Sequence, residues 1–159
     1  KRTWTRSRQY SRPMGQLRRH GQALNELARV LEEQGKLNEA EPLFRQALEL
    51  KQAFWGKPHE SVARGMGNLA NVLKNLKRYD EAEALYRQAL EIDKKVHGEE
   101  HPNVALSLNN LAFFLRNQDP DSAEAARLGK QALAIAEKTL GPDHPRTQRF
   151  RKRFGDDDD

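Results

Sequence analysis

The chain has 159 residues, 36% hydrophobic and 32% charged, with no cysteine, which excludes a disulfide framework and thiolate chemistry. No apolar run approaches the ~20 residues of a membrane-spanning helix, no secretory leader is visible, and the composition fits an intracellular, cytoplasmic protein. The net charge of +5 sits at the ends: residues 1–19 carry seven Lys/Arg and no acid, residues 146–153 carry five, and residues 20–145 hold 16 basic and 19 acidic residues. The isoelectric point therefore does not mark the whole chain as a nucleic-acid binder. The chain opens on Lys1 rather than Met, which reads as a piece of a longer protein.

Residues 1–13 form a basic arm in which Trp4 and Tyr10 interleave with Lys and Arg, a composition able to hold phosphates and stack on bases. Beyond it the sequence repeats itself. Leu27–Ala28 recurs as Leu69–Ala70 and Leu111–Ala112, and Phe44-Arg-Gln-Ala-Leu48 recurs as Tyr86-Arg-Gln-Ala-Leu90, 42 residues apart each time. In the third copy Gln131-Ala-Leu133 follows Gln88-Ala-Leu90 by 43. Such a period means stacked supersecondary units, here at about 14–56, 57–98 and 99–141.

Each copy holds two helical patterns. The first carries apolar residues at i, i+3, i+4 and i+7: Leu24, Leu27, Ala28 and Leu31, then Met66, Leu69, Ala70 and Leu73, then Leu108, Leu111, Ala112 and Leu115. The second carries Ala40, Leu43, Phe44, Ala47 and Leu48, then Ala82, Leu85, Tyr86, Ala89 and Leu90. The patterns predict helix pairs at about 23–38, 61–97 and 103–140. The alanines allow close helix approach, and Gly35 suits a left-handed helix end.

The joints Gly56-Lys-Pro-His59, Gly98-Glu-Glu-His-Pro102 and Gly141-Pro-Asp-His-Pro145 close one helix with Gly, and the last two open the next with Pro. His59, His101 and His144 are locked to these joints and read as structural. His97 and His101 straddle Gly98, so they do not share a helix face as zinc-binding pairs do. No nucleophile–base pair and no Gly-rich phosphate loop is present, so neither catalysis nor a metal or cofactor is expected. Residues 147–154 read as a capping helix whose Phe150 and Phe154 cover the open apolar end, followed by an acidic tail at 155–159. In the third copy the slot of Phe44 and Tyr86 is Gly129, and Phe113 reads either as a binding anchor or as filler for that space.

The repeated series, with Asn109-Asn-Leu-Ala112 and the Gly98…His101-Pro102 joint, resembles the tetratricopeptide repeat in its 42-residue, kinesin-light-chain-like form, over roughly residues 22–147. The resemblance implies an all-α fold: a right-handed superhelix, or α-solenoid, of three helical hairpins plus a C-terminal capping helix. It implies a protein–protein interaction scaffold whose first helices line a concave groove for an extended peptide. The groove positions are then Gln22, Asn25, Arg29, Glu32 and Glu33; Arg64, Gly67, Asn71, Lys74 and Asn75; and Leu106, Asn109, Phe113, Arg116 and Asn117, with Asn68 and Asn110 at the edge.

Carboxamides there can pair with a peptide's N–H and C=O, or bond each other across the stack. Arg64, Lys74 and Arg116 favour an acidic partner, and kinesin light chains as a family take acidic motifs into this groove. The carboxylate clamp of chaperone-binding relatives is not matched: Asn25 stands where that clamp has lysine, Arg29 where it has asparagine and Leu106 where it has a basic residue, and only Asn68 agrees. Two further expectations are self-association, with Asp156–Asp159 in the groove beside Arg149, Lys152 and Arg153, and, as the alternative function, a nucleic-acid-associated module acting through the basic arm.

Overall fold

The structure, a computed structural model, describes residues 5–155, with side chains from Met14 onward. The aromatic-basic composition of the arm and the contact expected of Asp156–Asp159 lie outside the described side chains. Seven helices follow in order: α1 (Thr5–Glu33), α2 (Leu37–Trp55), α3 (Glu60–Asn75), α4 (Tyr79–His97), α5 (Pro102–Gln118), α6 (Ala123–Leu140) and α7 (Pro145–Phe154). No strand occurs among the described residues.

The second and third pairs begin and end within one residue of the sequence expectation, whereas the first runs from Thr5 to Trp55 instead of 23–38. The extra turns support each other. A Cβ placed on Gly21 of α1 would lie 3.3 Å from the Leu50 Cβ of α2, so the upstream part of α1 packs directly on the late turns of α2. The chain divides within α4 into two compact units, residues 1–82 and 83–159.

In the first unit α1 packs against α2, and α3 also packs against α2. Ala28, Ala40, Phe44, Ala47, Leu48, Met66, Leu69, Ala70 and Leu73 are buried. Leu27 breaks the pattern. It is 50% exposed and Val30 is 48% exposed, while the corresponding Leu69 and Leu111 are each 1% exposed. α3 has α2 before it, and no earlier described helix covers that side of α1.

Both first helices here end in the same double hydrogen bond. Lys36 N–H donates to Leu31 O at 2.8 Å and Gly35 N–H to Glu32 O at 2.9 Å; Arg78 N–H donates to Leu73 O at 2.9 Å and Lys77 N–H to Lys74 O at 3.0 Å. This is the Schellman arrangement, which needs a left-handed residue. Gly35 supplies it at φ 76°, and Lys77 does so at φ 62° despite its side chain.

In the second unit the Tyr86 ring of α4 meets Phe114 of α5 at 5.3 Å between centroids. α5 packs on α6, and α6 on α7. The inserted residue remodels the turn after α5: Asp119 is extended at φ −141° rather than left-handed, and Ser122 Oγ caps α6 by accepting from Ala125 N–H. The missing aromatic of α6 arrives from another helix. A Cβ on Gly129 would fall 2.2 Å from Phe154 Cδ1, so the Phe154 ring occupies the space that a Gly129 side chain would need. Phe113 does not fill that slot. Phe150, Phe154 and Thr147 of α7 are buried, and Thr147 Oγ1 donates to Ala136 O at 3.3 Å.

Two sequence features acquire physical meaning. The joint histidines are N-caps: Nδ1 of His59, His101 and His144 accepts from the N–H of Ser61, Asn103 and Arg146 at 3.0, 3.1 and 3.1 Å, satisfying a donor that a helix start leaves orphaned. The arginine of the repeated Arg-Gln-Ala-Leu run bridges helices. Arg45 donates to Glu41 at 2.9 Å and pairs with Glu81 at 3.5 Å. Arg87 donates to Glu83 at 2.9 Å and to both oxygens of Glu124 at 2.9 and 3.0 Å.

Candidate functional site

The face that the first helices leave free of core residues differs between the units. In the first it forms a cavity of about 320 Å³ between α1, the end of α2 and the start of α3. Gln22, Asn25, Arg64 and Asn68 of the sequence-derived set line it, with Leu17, Arg18, Glu26, Lys51, Phe54, Trp55 and Ser61. Asn68 Nδ2 donates to Asn25 Oδ1 at 3.1 Å, so these two carboxamides bond each other and fix the spacing of α1 and α3. The aromatic wall is also fixed: Trp55 stacks on His59 at 3.3 Å between centroids and receives Phe54 edge-on at 4.8 Å.

Charge in this cavity is largely uncompensated. Among the described residues no ion pair is formed by Arg18, Lys51 or Arg64. Glu26 pairs with Arg29 at 3.5 Å. Burial pushes the Lys51 ammonium below its usual range; the neighbouring Arg64 adds to the shift and Glu26 opposes it.

Further along the face, burial raises the Glu32 carboxyl against the pull of Lys74 and Arg29, with Glu33 adding to the rise. Lys74 therefore lies within the field of Glu32. Asn71 is half-buried and engaged, and Asn75 is exposed at the end of α3.

In the second unit the corresponding residues meet α7. Arg153 Nη1 donates to Asn109 Oδ1 at 3.5 Å, and its guanidinium lies 4.4 Å over the Phe113 ring. Arg116 donates to the Arg153 carbonyl and sits 4.7 Å over the Phe154 ring. Asn109 also faces Asn110, Nδ2 to Oδ1 at 3.5 Å, while Asn117 is exposed. Burial, then Arg149 and Arg116, lower the Arg153 guanidinium from its usual range. Arg153 thus packs onto this face from α7.

Lys51, Phe54 and Trp55 were not singled out from sequence, because the groove was assigned to the first helix of each pair and these residues end the second. The available signal was variation at a packing position: Lys51 aligns with Asp93, and Gly65 with Ser107. Among the histidines, the His97 and His101 rings stack at 4.0 Å, and Asn103 Nδ2 lies 3.1 Å from His97 Nε2. Among the described residues no three His, Asp or Glu side chains gather as a metal site would require, and no helix is long and apolar enough to cross a membrane.

Comparison with known proteins converges on one kind of repeat. The family described as tetratricopeptide repeat matches residues 19–74 and 61–126. Among solved structures, BtubC (BKLC) from P. vanneervenii is 26% identical with a TM-score of 0.76, over 85% of this chain and 54% of that one. Nearly identical TPR-like repeats from a Podosopora anserina chain assigned to the kinesin light chains are 27% identical with a TM-score of 0.74, over 84% of this chain and 63% of that one. The chain thus spans between half and two thirds of the length of these similar structures. Curated proteins yield no match.

Proposed function

The chain belongs to the tetratricopeptide repeat family, in its kinesin-light-chain-like form, and on that premise we propose that it is a protein–protein interaction scaffold holding an extended acidic peptide along α1 and α3. The observation that carries this reading is the cavity lined by Arg18, Lys51 and Arg64 beside the Asn25–Asn68 bridge, three cations with no ion pair among the described residues. An acidic side chain entering there gains charge-assisted hydrogen bonds. Asn71, Lys74 and Asn75 continue the face for the rest of the peptide. Asn109, Asn110, Phe113, Arg116 and Asn117 form the equivalent set in the second unit, part of it engaged by Arg153 and Phe154.

Calorimetric titration of a Glu-rich extended peptide, beside a neutral peptide of equal length, tests the reading. The acidic peptide binds more tightly, and its affinity falls steeply as salt rises from low to physiological strength. Arg64→Glu weakens it by about 2 kcal/mol or more, since attraction and steering both reverse. Equal affinity in wild type and Arg64→Glu removes this face from the account.

A further inference from the structure

Lys51 runs past Gly65 of α3 to line the cavity. A Cβ there would lie 3.2 Å from Leu48 Cδ1, 3.4 Å from Lys51 Cδ and 3.5 Å from its Nζ, so the lysine stem passes alongside the bare backbone of α3 at van der Waals distance. One repeat later the same two positions hold the opposite chemistry. Asp93 is buried, and Ser107 Oγ donates to its Oδ2 at 2.6 Å. The second unit fills this packing position with an anion and its own donor. The first fills it with a cation, leaves out the partner and sets Arg64 beside it.

We propose that the first unit's cavity receives one phosphorylated serine or threonine side chain on the extended partner peptide, with Lys51 and Arg64 as its anion contacts. The inference rests on the peptide-binding reading above and sharpens it. Arg18, Lys51 and Arg64 against Glu26 leave the cavity two positive charges in excess. A phosphomonoester carries about −1.5 to −2 at neutral pH and offers three acceptor oxygens, whereas a single carboxylate leaves one charge unmatched. A lysine that is desolvated and repelled by Arg64 gains from a dianion on both counts. The Phe54–Trp55 wall gives apolar cover to the residue flanking the phosphate, and Ser61 and Gln22 add neutral hydrogen-bonding groups around it.

Calorimetry with three probes tests this: a phosphoserine peptide, the same peptide with Glu at that position, and inorganic phosphate alone. Each is titrated into wild type, Lys51→Met, and the double variant Lys51→Asp with Gly65→Ser. The double variant installs the pair the second unit already uses, and a thermal melt checks that it folds. Wild type binds the phosphopeptide about tenfold more tightly than the Glu peptide, the size of one added charge-assisted contact, and both variants lose that preference.

Equal affinities for phosphopeptide and Glu peptide overturn the phosphate receptor and leave the acidic-peptide reading standing. A preference that survives in Lys51→Met places the phosphate elsewhere and overturns it too. Inorganic phosphate binding as tightly as the phosphopeptide makes the cavity a free-anion site and removes the peptide source. Failure of both peptides to bind overturns the groove reading itself.

Discussion

The two units take the same repeat and use its polar surface in opposite ways. In the first, Arg18, Lys51 and Arg64 line a cavity without an ion pair among the described residues, and the lysine stem passes alongside Gly65. In the second, Asp93 has Ser107, Asn109 and Phe113 have Arg153, and Arg116 has the Arg153 carbonyl and the Phe154 ring. A surface whose groups have partners within the chain has little left to offer a ligand, because each contact made costs one already formed. The proposed recognition thus falls where the repeat leaves charge unanswered, and the face corresponding to it by sequence is contacted by α7.

The contrast breaks most severely at Phe154. Phe154→Ala empties the slot over Gly129 and removes the ring beneath Arg116, and we expect about 3–5 kcal/mol of destabilisation in urea unfolding. The same variant removes one of the two contacts that hold Arg116, so a gain in acidic-peptide affinity accompanies the loss of stability. Next in size is the difference between equivalent leucines. Leu69→Ala lowers stability by about 2–5 kcal/mol, whereas Leu27→Ala, on a half-exposed face, changes it by less than about 1 kcal/mol. Matching values for the two would mean that the outer side of α1 is covered in solution.

Much of this was legible in the sequence, and the rest failed for identifiable reasons. The outer ends of the second and third pairs, at the start of α3, the end of α4, the start of α5 and the end of α6, were placed to within a residue because Gly98, Pro102, Gly141 and the apolar spacing act locally. The histidines were recognised as joint residues but not as caps, since imidazole is not among the usual capping side chains. Lys77 gave no left-handed signal, because only glycine or asparagine announces that conformation. The missing aromatic at Gly129 was visible, but the ring that replaces it comes from another helix, and no local pattern links 129 to 154. Of the residues lining the proposed site, Gln22, Asn25, Arg64 and Asn68 stand on the first helices where the sequence pointed, while Lys51 was hidden in a helix assigned to the core.

Lys77→Gly relieves the strained turn that Gly35 makes without strain, and we expect a gain of up to about 1 kcal/mol in the thermal or urea midpoint. The smallest effects are electrostatic and opposite in sign between the units. Hydrogen bonds from Arg87 hold the Glu124 carboxyl below its ordinary value of 4.5. Its contribution is present above that value and fades as pH falls through the depressed one. For Glu32, raised by burial, ionisation costs stability at neutral pH, and protonation on acidification relieves the cost. Glu32→Gln therefore stabilises at pH 7, while Glu124→Gln destabilises there and not at low pH. Each change is a few tenths of a kcal/mol up to about 1, given the solvent exposure, and paired urea titrations at the two pH values resolve them.

The borrowed ring also sets an order in time. Phe44 and Tyr86 each stand on the helix whose slot they fill, so those helices carry their own ring as soon as they form. α6 does not. Gly129 leaves the ribosome ahead of Phe154, and at synthesis rates of about 5–20 residues per second the interval is on the order of 1–5 s. For that interval the α5–α6 hairpin has its two helices and an open seam between them, which makes the third repeat slower to close than the two before it.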